Sequence, residues 1–369
     1  MRFSCFKSGY IWWRDNRNPM GISDTLLGRK NVDGHPRIEA IEPPAALPGG
    51  EVRIIGKSLK APNLSRPEVN FSGVRGSIVV SSEEFVIARV PYGAHSGEVT
   101  VQTNGHLSNG RDIKIAQPIA ENLHPVSNPA LDGEGNVYVT FSGSRGQKVP
   151  VSIYKIDTNY SVRPFLSDLM NATGIAFDQD GQMYVSSRYE GTVYRVAPNG
   201  TMSTYAEGMG IATGIAFDHQ QNLYVGDRTG TIWRIAKDRQ MFVFATLEPS
   251  VAAYHLAFSP AGTLYVSGPT TSSFDAITTI DPQGTVATFY RGLGRPQGLA
   301  FDAQGNLYVA ASLAGKRGIV KITPDKKASL VVAGQNLIGL AFTRTGGAVL
   351  ATTTAIFHLT WGIQALPLI

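Results

Sequence analysis

The chain has 369 residues, 43% hydrophobic and 17% charged, which leaves ample material for packed cores and excludes global disorder. Its 40 Gly, 21 Pro and 14 Tyr favour many short strands and tight turns over long helices. No apolar run approaches the ~20 residues of a membrane-spanning helix, and the formal charge of +5 includes no basic block, so neither a membrane nor a nucleic acid is expected as a partner.

At about 150 residues per domain, the length suggests two or three domains. The opening, MRFSCFKSGYIWWRDN, lacks the apolar core of a signal peptide, which predicts a cytoplasmic location for the sequence as written. An extracytoplasmic one is expected if the start is misassigned or a leader is processed. Cys5 is the only cysteine, so an intrachain disulfide and a thiolate metal cage are excluded. Residues 1–35 show no sustained periodicity and read as an N-terminal arm. Its Trp12 and Trp13 are expected to dock onto the following domain, since a free Trp pair invites aggregation.

Order begins at PRIEAIEPPAALPGGEVRIIGKSL (36–59), where Gly49-Gly50 turns into a strand with Val52 and Ile54 on one face. PEVNFSG, SIVVSS, FVIARVP and GEVTVQTNG follow as short strands. Five or six strands in about 80 residues predict a β-sandwich over 36–115. The P-x-I-x-x-I-x-P…GG-x-V-x-I-x-G-x-x-L pattern resembles the IPT/TIG family of immunoglobulin-like domains. The resemblance implies a spacer, a dimerisation module or a DNA-binding part, and the basic loops the last role demands are not apparent.

From residue 116 the chain repeats itself. One thirteen-residue unit recurs as SNPALDGEGNVYV (127–139), TGIAFDQDGQMYV (173–185), TGIAFDHQQNLYV (213–225), YHLAFSPAGTLYV (254–266), QGLAFDAQGNLYV (297–309) and IGLAFTRTGGAVL (338–350). Each unit reads as strand, polar turn, strand. Two further strands follow, as in GTVYRVAP and TMSTYAEGM. Four antiparallel strands repeated six times at a period of about 40 residues predict an all-β, six-bladed propeller over 116–369. The last unit has no clear fourth strand, while residues 116–123 align with a fourth strand ahead of the first unit. They are expected to pair with the last blade and close the ring. Over 116–362 the repeats resemble the NHL-repeat and gluconolactonase/regucalcin-like propellers.

Propeller geometry places the first residue of each unit near one mouth of the central channel: Ser127, Thr173, Thr213, Tyr254, Gln297 and Ile338. Second-to-third-strand loops on the same face add Ser187, Arg188, Asp227, Arg228, Ser267 and Ser312. With His255 these make a candidate ligand site of convergent donors and acceptors, weighed against a solvated mouth that only satisfies local turns. Arg188 and Arg228 hold equivalent positions and could clamp a carboxylate or phosphate, or be surface arginines with one paired to Asp227.

The gluconolactonase resemblance implies a divalent metal held by Glu, Asn and Asp. Read onto this chain, those positions become Ser127, Thr173 or Thr213, and Gln297, which cannot replace carboxylates around a hard cation. No metal or other cofactor is therefore expected; the alternative is a divalent cation such as Ca2+ on another ligand set. DQDG (178–181) resembles the start of an EF-hand loop, but Tyr189 stands at the twelfth position, so a turn explains it. The recurring Asp132, Asp178, Asp218 and Asp302 are read as turn caps, and the recurring Phe and Tyr as packing between blades. The reading that results is a non-catalytic recognition protein whose propeller mouth or rim binds a protein, peptide or glycan. Its alternative is a lactonase-like hydrolase or lyase using Ser187, Asp227, Arg228, His255 and Gln297.

Overall fold

The computed structural model describes residues 34–61, 66–271 and 275–366. Apart from Gly34, the described residues belong to the unit His35–Ile369. The expected docking of Trp12 and Trp13 lies outside the described residues. Among these the regular structure is all β: alternating and fully apolar runs bounded by Gly, Asn and Asp turns form strands throughout.

Near the N-terminal end of this unit, Arg37–Glu42 pairs antiparallel with Glu51–Lys57, which pairs with Phe85–Arg89. Glu68–Phe71 pairs with Gly97–Thr103, which pairs with Arg111–Ile115. Alternate residues of these strands, Val52, Ile54, Val69, Phe71, Val86, Val99, Val101 and Ile113 among them, fill one apolar core.

Four separate four-stranded antiparallel sheets follow from the repeats, in a propeller-like arrangement. In one, Ala212–Phe217, Leu223–Asp227, Thr231–Ile235 and Met241–Thr246 pair in sequence order. Another takes its outer strand from far upstream: Gln117–Glu121 pairs antiparallel with Ala355–Thr360, Gln117 opposite His358. His255–Phe258 through Val286–Gly294, and Leu299–Phe301 through Ala328–Ala333, form two further antiparallel runs within a larger sheet that also holds the N-terminal strands.

Strand pairing spans the expected boundary at residue 115. Ala45–Ala46 pairs in parallel with both Arg111–Ile115 and Ala328–Ala333. Leu47 N–H donates to the Ala333 carbonyl at 2.8 Å, and Ala45 and Leu47 sit in the core of the last repeats. Backbone hydrogen bonds and shared apolar burial thus tie the N-terminal strands to the repeat region.

Candidate functional site

The thirteen-residue unit builds the same local structure each time. Asp218 Oδ1 accepts from the amides of Gln220 (2.9 Å) and Asn222 (2.8 Å), and Oδ2 accepts from Asn222 Nδ2 (2.8 Å) and the Tyr224 hydroxyl (3.3 Å). Asp132 and Asp302 repeat this set, and Asp178 repeats its backbone half. These carboxylates cap turns and are not ligands in waiting.

The first strands converge on an axial cavity of about 410 Å³. Its walls are mainly apolar, with Ile175, Phe177, Ile215, Phe258, Phe301 and Phe342 among them. One end reaches the exposed turn residues Gly133, Gln179, Gly181 and Arg344; the other ends at the buried Ser127, Gly174, Gly214 and His255. The blind end is the face where the sequence places the open mouth.

The residue types at the second position of each unit close that end. Four units have glycine there: Gly174, Gly214, Gly298 and Gly339. A Cβ on Gly174 would stand 2.6 Å from the Thr213 carbonyl oxygen, and one on Gly339 2.7 Å from Asn128 Cα. The neighbouring strands approach closely enough to bond: Gly214 N–H to the Tyr254 carbonyl and Gly298 N–H to the Ile338 carbonyl, each at 2.9 Å. The other two units carry Asn128 and His255. Asn128 bridges two units, donating from Nδ2 to the Leu299 carbonyl (2.9 Å) and accepting from Leu340 N–H (3.1 Å).

Most of the expected mouth residues are occupied in this closure. The Ser127 hydroxyl donates to the Thr173 carbonyl, Ser186 to that of Thr213 and Ser267 to that of Gln297. The Thr213 hydroxyl donates to the Gly226 carbonyl (2.8 Å) and accepts from Tyr254 N–H (3.1 Å). The Thr173 hydroxyl donates to the Asn171 carbonyl (3.1 Å), Ser187 to that of Met170 (2.7 Å) and Tyr254 to that of Glu248. Burial pushes the Tyr254 phenol up to about 12, so it stays neutral. Thr173, Ser187, Thr213, Tyr254, Asp227 and His255 are all buried.

Asp227 accepts from the amides of Ile211 and Thr229 (3.0 Å each) and from the Thr229 hydroxyl (2.6 Å). It does not pair with Arg228, whose Nε donates to the Ser250 carbonyl at 3.0 Å. Arg188 Nη2 turns to the Gly143 carbonyl at 2.7 Å. The two arginines are therefore anchored to different backbone segments. Burial, then the charges of Arg228 and Arg145, make the Arg188 guanidinium less basic than usual.

Of the expected residues, His255 does face the cavity, with Ser127. Only 3% of it is exposed, and burial pushes its imidazole down to about 4, so it is neutral at pH 7. Gln297 lies apart, in a smaller pocket with Ser312. Sequence reasoning missed Asn128 and the apolar wall; the glycine recurring at the second position of the unit was the available signal.

A divalent cation does not fit this cavity. Neutral groups stand where the lactonase resemblance requires carboxylates: the Ser127, Thr173 and Thr213 hydroxyls are already bonded, Gln297 lies outside the cavity, and Asp178, the one carboxylate lining the wall, caps its own turn. Among the described residues no group of three or more His, Cys, Asp or Glu is placed to hold a metal.

No family model matches the chain, and no curated protein matches its sequence. Solved structures do. A gluconolactonase from Xanthomonas campestris aligns at TM-score 0.52 and 15% identity, over 67% of this chain and 89% of that one. An auxiliary nutrient binding protein from Bacteroides thetaiotaomicron aligns at 0.52 and 12%, over 88% and 97%. A streptogramin B lyase aligns at 0.50 and 13%, over 90% and 95%. At these identities the likeness is one of fold, a propeller shared by binding proteins, hydrolases and lyases.

Proposed function

We propose that the protein is a non-catalytic recognition protein that takes an apolar side chain of a peptide or protein partner into its axial cavity. The observation that carries this reading is the cavity itself: about 410 Å³, apolar walls, one end at exposed turns, and a blind end whose polar groups are mostly bonded to each other. That volume is in the range of pockets for small ligands. Sugar hydroxyls would find few unoccupied partners on such walls, which favours a peptide over a glycan.

Two finer readings belong with it. Six blades are supported by six copies of the unit, each with its own antiparallel pairing, the last completed by Gln117–Glu121. An immunoglobulin-like sandwich over 36–115 is supported by the two strand sets around one core. In this reading the sandwich braces the ring, because Ala45–Ala46 bonds to both.

The alternative, a lactonase-like hydrolase or lyase, draws support from His255, a neutral imidazole on the cavity wall that could accept a proton. Titration with N-acetyl-phenylalaninamide, N-acetyl-leucinamide and N-acetyl-serinamide, followed by calorimetry, separates the two. Recognition predicts saturable binding of the first two, weak binding of the third, and loss in Ala341→Phe, which fills the cavity. No binding of any amide, or His255-dependent turnover of a lactone or ester, would overturn it.

A further inference from the structure

We propose that the pocket lined by Arg295, Gln297, Ser312, Arg317 and Asn336, separate from the axial cavity, binds a small organic anion through its carboxylate or phosphate. The site goes beyond the recognition reading and does not rest on it.

The pocket holds about 240 Å³, and no Asp or Glu lines it. Arg295 and Arg317 are both exposed, and neither forms an ion pair or a side-chain hydrogen bond among the described residues. The Gln297 and Asn336 carboxamides likewise have no partner there. This is the reverse of the axial ring, where nearly every polar group is bonded. Two guanidinium groups and two carboxamides around one concavity offer many N–H donors, and no acid in the lining offsets their positive charge. Guanidinium forks match the planar carboxylate and the phosphate oxygens, and the carboxamides suit hydroxyl or carbonyl oxygens beside the anion.

The backbone that carries these groups is fixed. Gln297 N–H donates to the Ala310 carbonyl (2.9 Å), Thr353 N–H to that of Asn336 (3.1 Å) and Gly334 N–H to that of Arg317 (3.2 Å). Gly294, next to Arg295, is paired with Ser312. Arg295 has φ 47°, a left-handed conformation uncommon outside glycine, which marks a position held by its surroundings. Gly318 in the wall lets the strand Ala328–Ala333 approach closely, since a Cβ there would run into the Val332 carbonyl. Arg317 also borders a second cavity, which Glu42 and Glu51 line; Glu51 is paired with Arg89 at 2.7 Å. The fixed backbone spares the site loop ordering on binding, and the two exposed arginine side chains are what an anion must order.

The test is calorimetric titration of the full chain with sodium succinate and with sodium phosphate, against sodium chloride at matched ionic strength. Variants are Arg295→Gln and Arg317→Gln, with Arg163→Gln as an exposed control on a distant strand. The wild type should bind succinate or phosphate saturably, and whichever binds names the anion. Each pocket variant should weaken binding by about tenfold or more, the control should not, and unliganded melting temperatures should match. Heats no larger than those of chloride, or binding that survives both pocket variants, would overturn the proposal. Binding of N-acetyl-phenylalaninamide should be the same in every variant, so the two sites fail or hold separately.

Discussion

The Tyr224 ring stands edge-on to Phe258 of the next repeat, with centroids 5.0 Å apart and planes at 68°, while its hydroxyl donates to Asp218 of its own turn. Tyr138–Phe177, Tyr184–Phe217, Tyr265–Phe301 and Tyr308–Phe342 make the same edge-to-face contact between successive repeats. One residue type thus packs five of the six repeats on the next, and in three repeats it also ties down the turn. Tyr224→Ala is expected to cost about 3–5 kcal/mol, the range for emptying a buried aromatic site. Tyr224→Phe keeps the ring and should cost about 1 kcal/mol for the lost hydrogen bond. Urea unfolding of both variants checks the order; equal losses would deny the ring contact its role.

Asp218 should matter more than its place at a turn suggests. Its carboxylate accepts two backbone amides, a carboxamide and a phenol. Asp218→Ala leaves those donors without their partner, and a loss of about 1–3 kcal/mol follows. Thermal unfolding measures it, and Asp281→Ala is the comparison. Asp281 accepts the amides of Gln283 and Thr285 in solvent-exposed hydrogen bonds, so water can replace it and the loss should be smaller.

These contacts explain why the repeat region was legible in the chain and the mouth was not. Period, turn aspartates and paired aromatics are local in sequence, so a strand–turn–strand unit with Phe and Tyr at fixed offsets could be read directly. The state of Thr173, Thr213 and Gln297 depends on neighbouring repeats, because each offers its carbonyl to a serine hydroxyl 27 to 46 residues upstream, and the Thr213 hydroxyl also accepts from Tyr254 N–H, 41 residues downstream. Whether they face water follows from how tightly the ring draws in, which spacing does not encode. Arg295 and Asn336 come from loops, and Arg317 from the end of a strand, all outside the thirteen-residue unit, where no periodicity flags them.

Tight closure is itself testable at Gly298. A methyl group there would run into Asn128 Oδ1 and lie 2.5 Å from Gly339 Cα, and backbone on the far side cannot step aside cheaply. Gly298→Ala should therefore destabilise by about 1–3 kcal/mol or more, although alanine suits a strand better than glycine in general. Gly262→Ala is a poor control because φ there is +82°; Gly133→Ala, with open space around it, should be nearly silent. Differential unfolding of the pair decides whether the axis is as crowded as these distances say.

The pH dependence of stability isolates His255. Its imidazole has a pKa of about 4 in the folded chain, because burial disfavours the charged form, against about 6.5 when unfolded. Above pH 6.5 both states are neutral there and the group contributes nothing. Between pH 6.5 and 4 the unfolded chain binds a proton that the folded chain does not, so stability falls as pH falls. The loss should total about 3 kcal/mol once the pH is below the folded value. His255→Phe removes the titration but keeps a ring of similar size. Carboxylates titrating in the same interval act on both proteins, so the difference between their unfolding free energies from pH 7 to pH 4 belongs to His255. The wild-type curve should drop more steeply by that amount. Parallel curves would mean that the imidazole takes its proton without unfolding, through water in the axial cavity, and a base at the blind end would then be open to solvent at acidic pH.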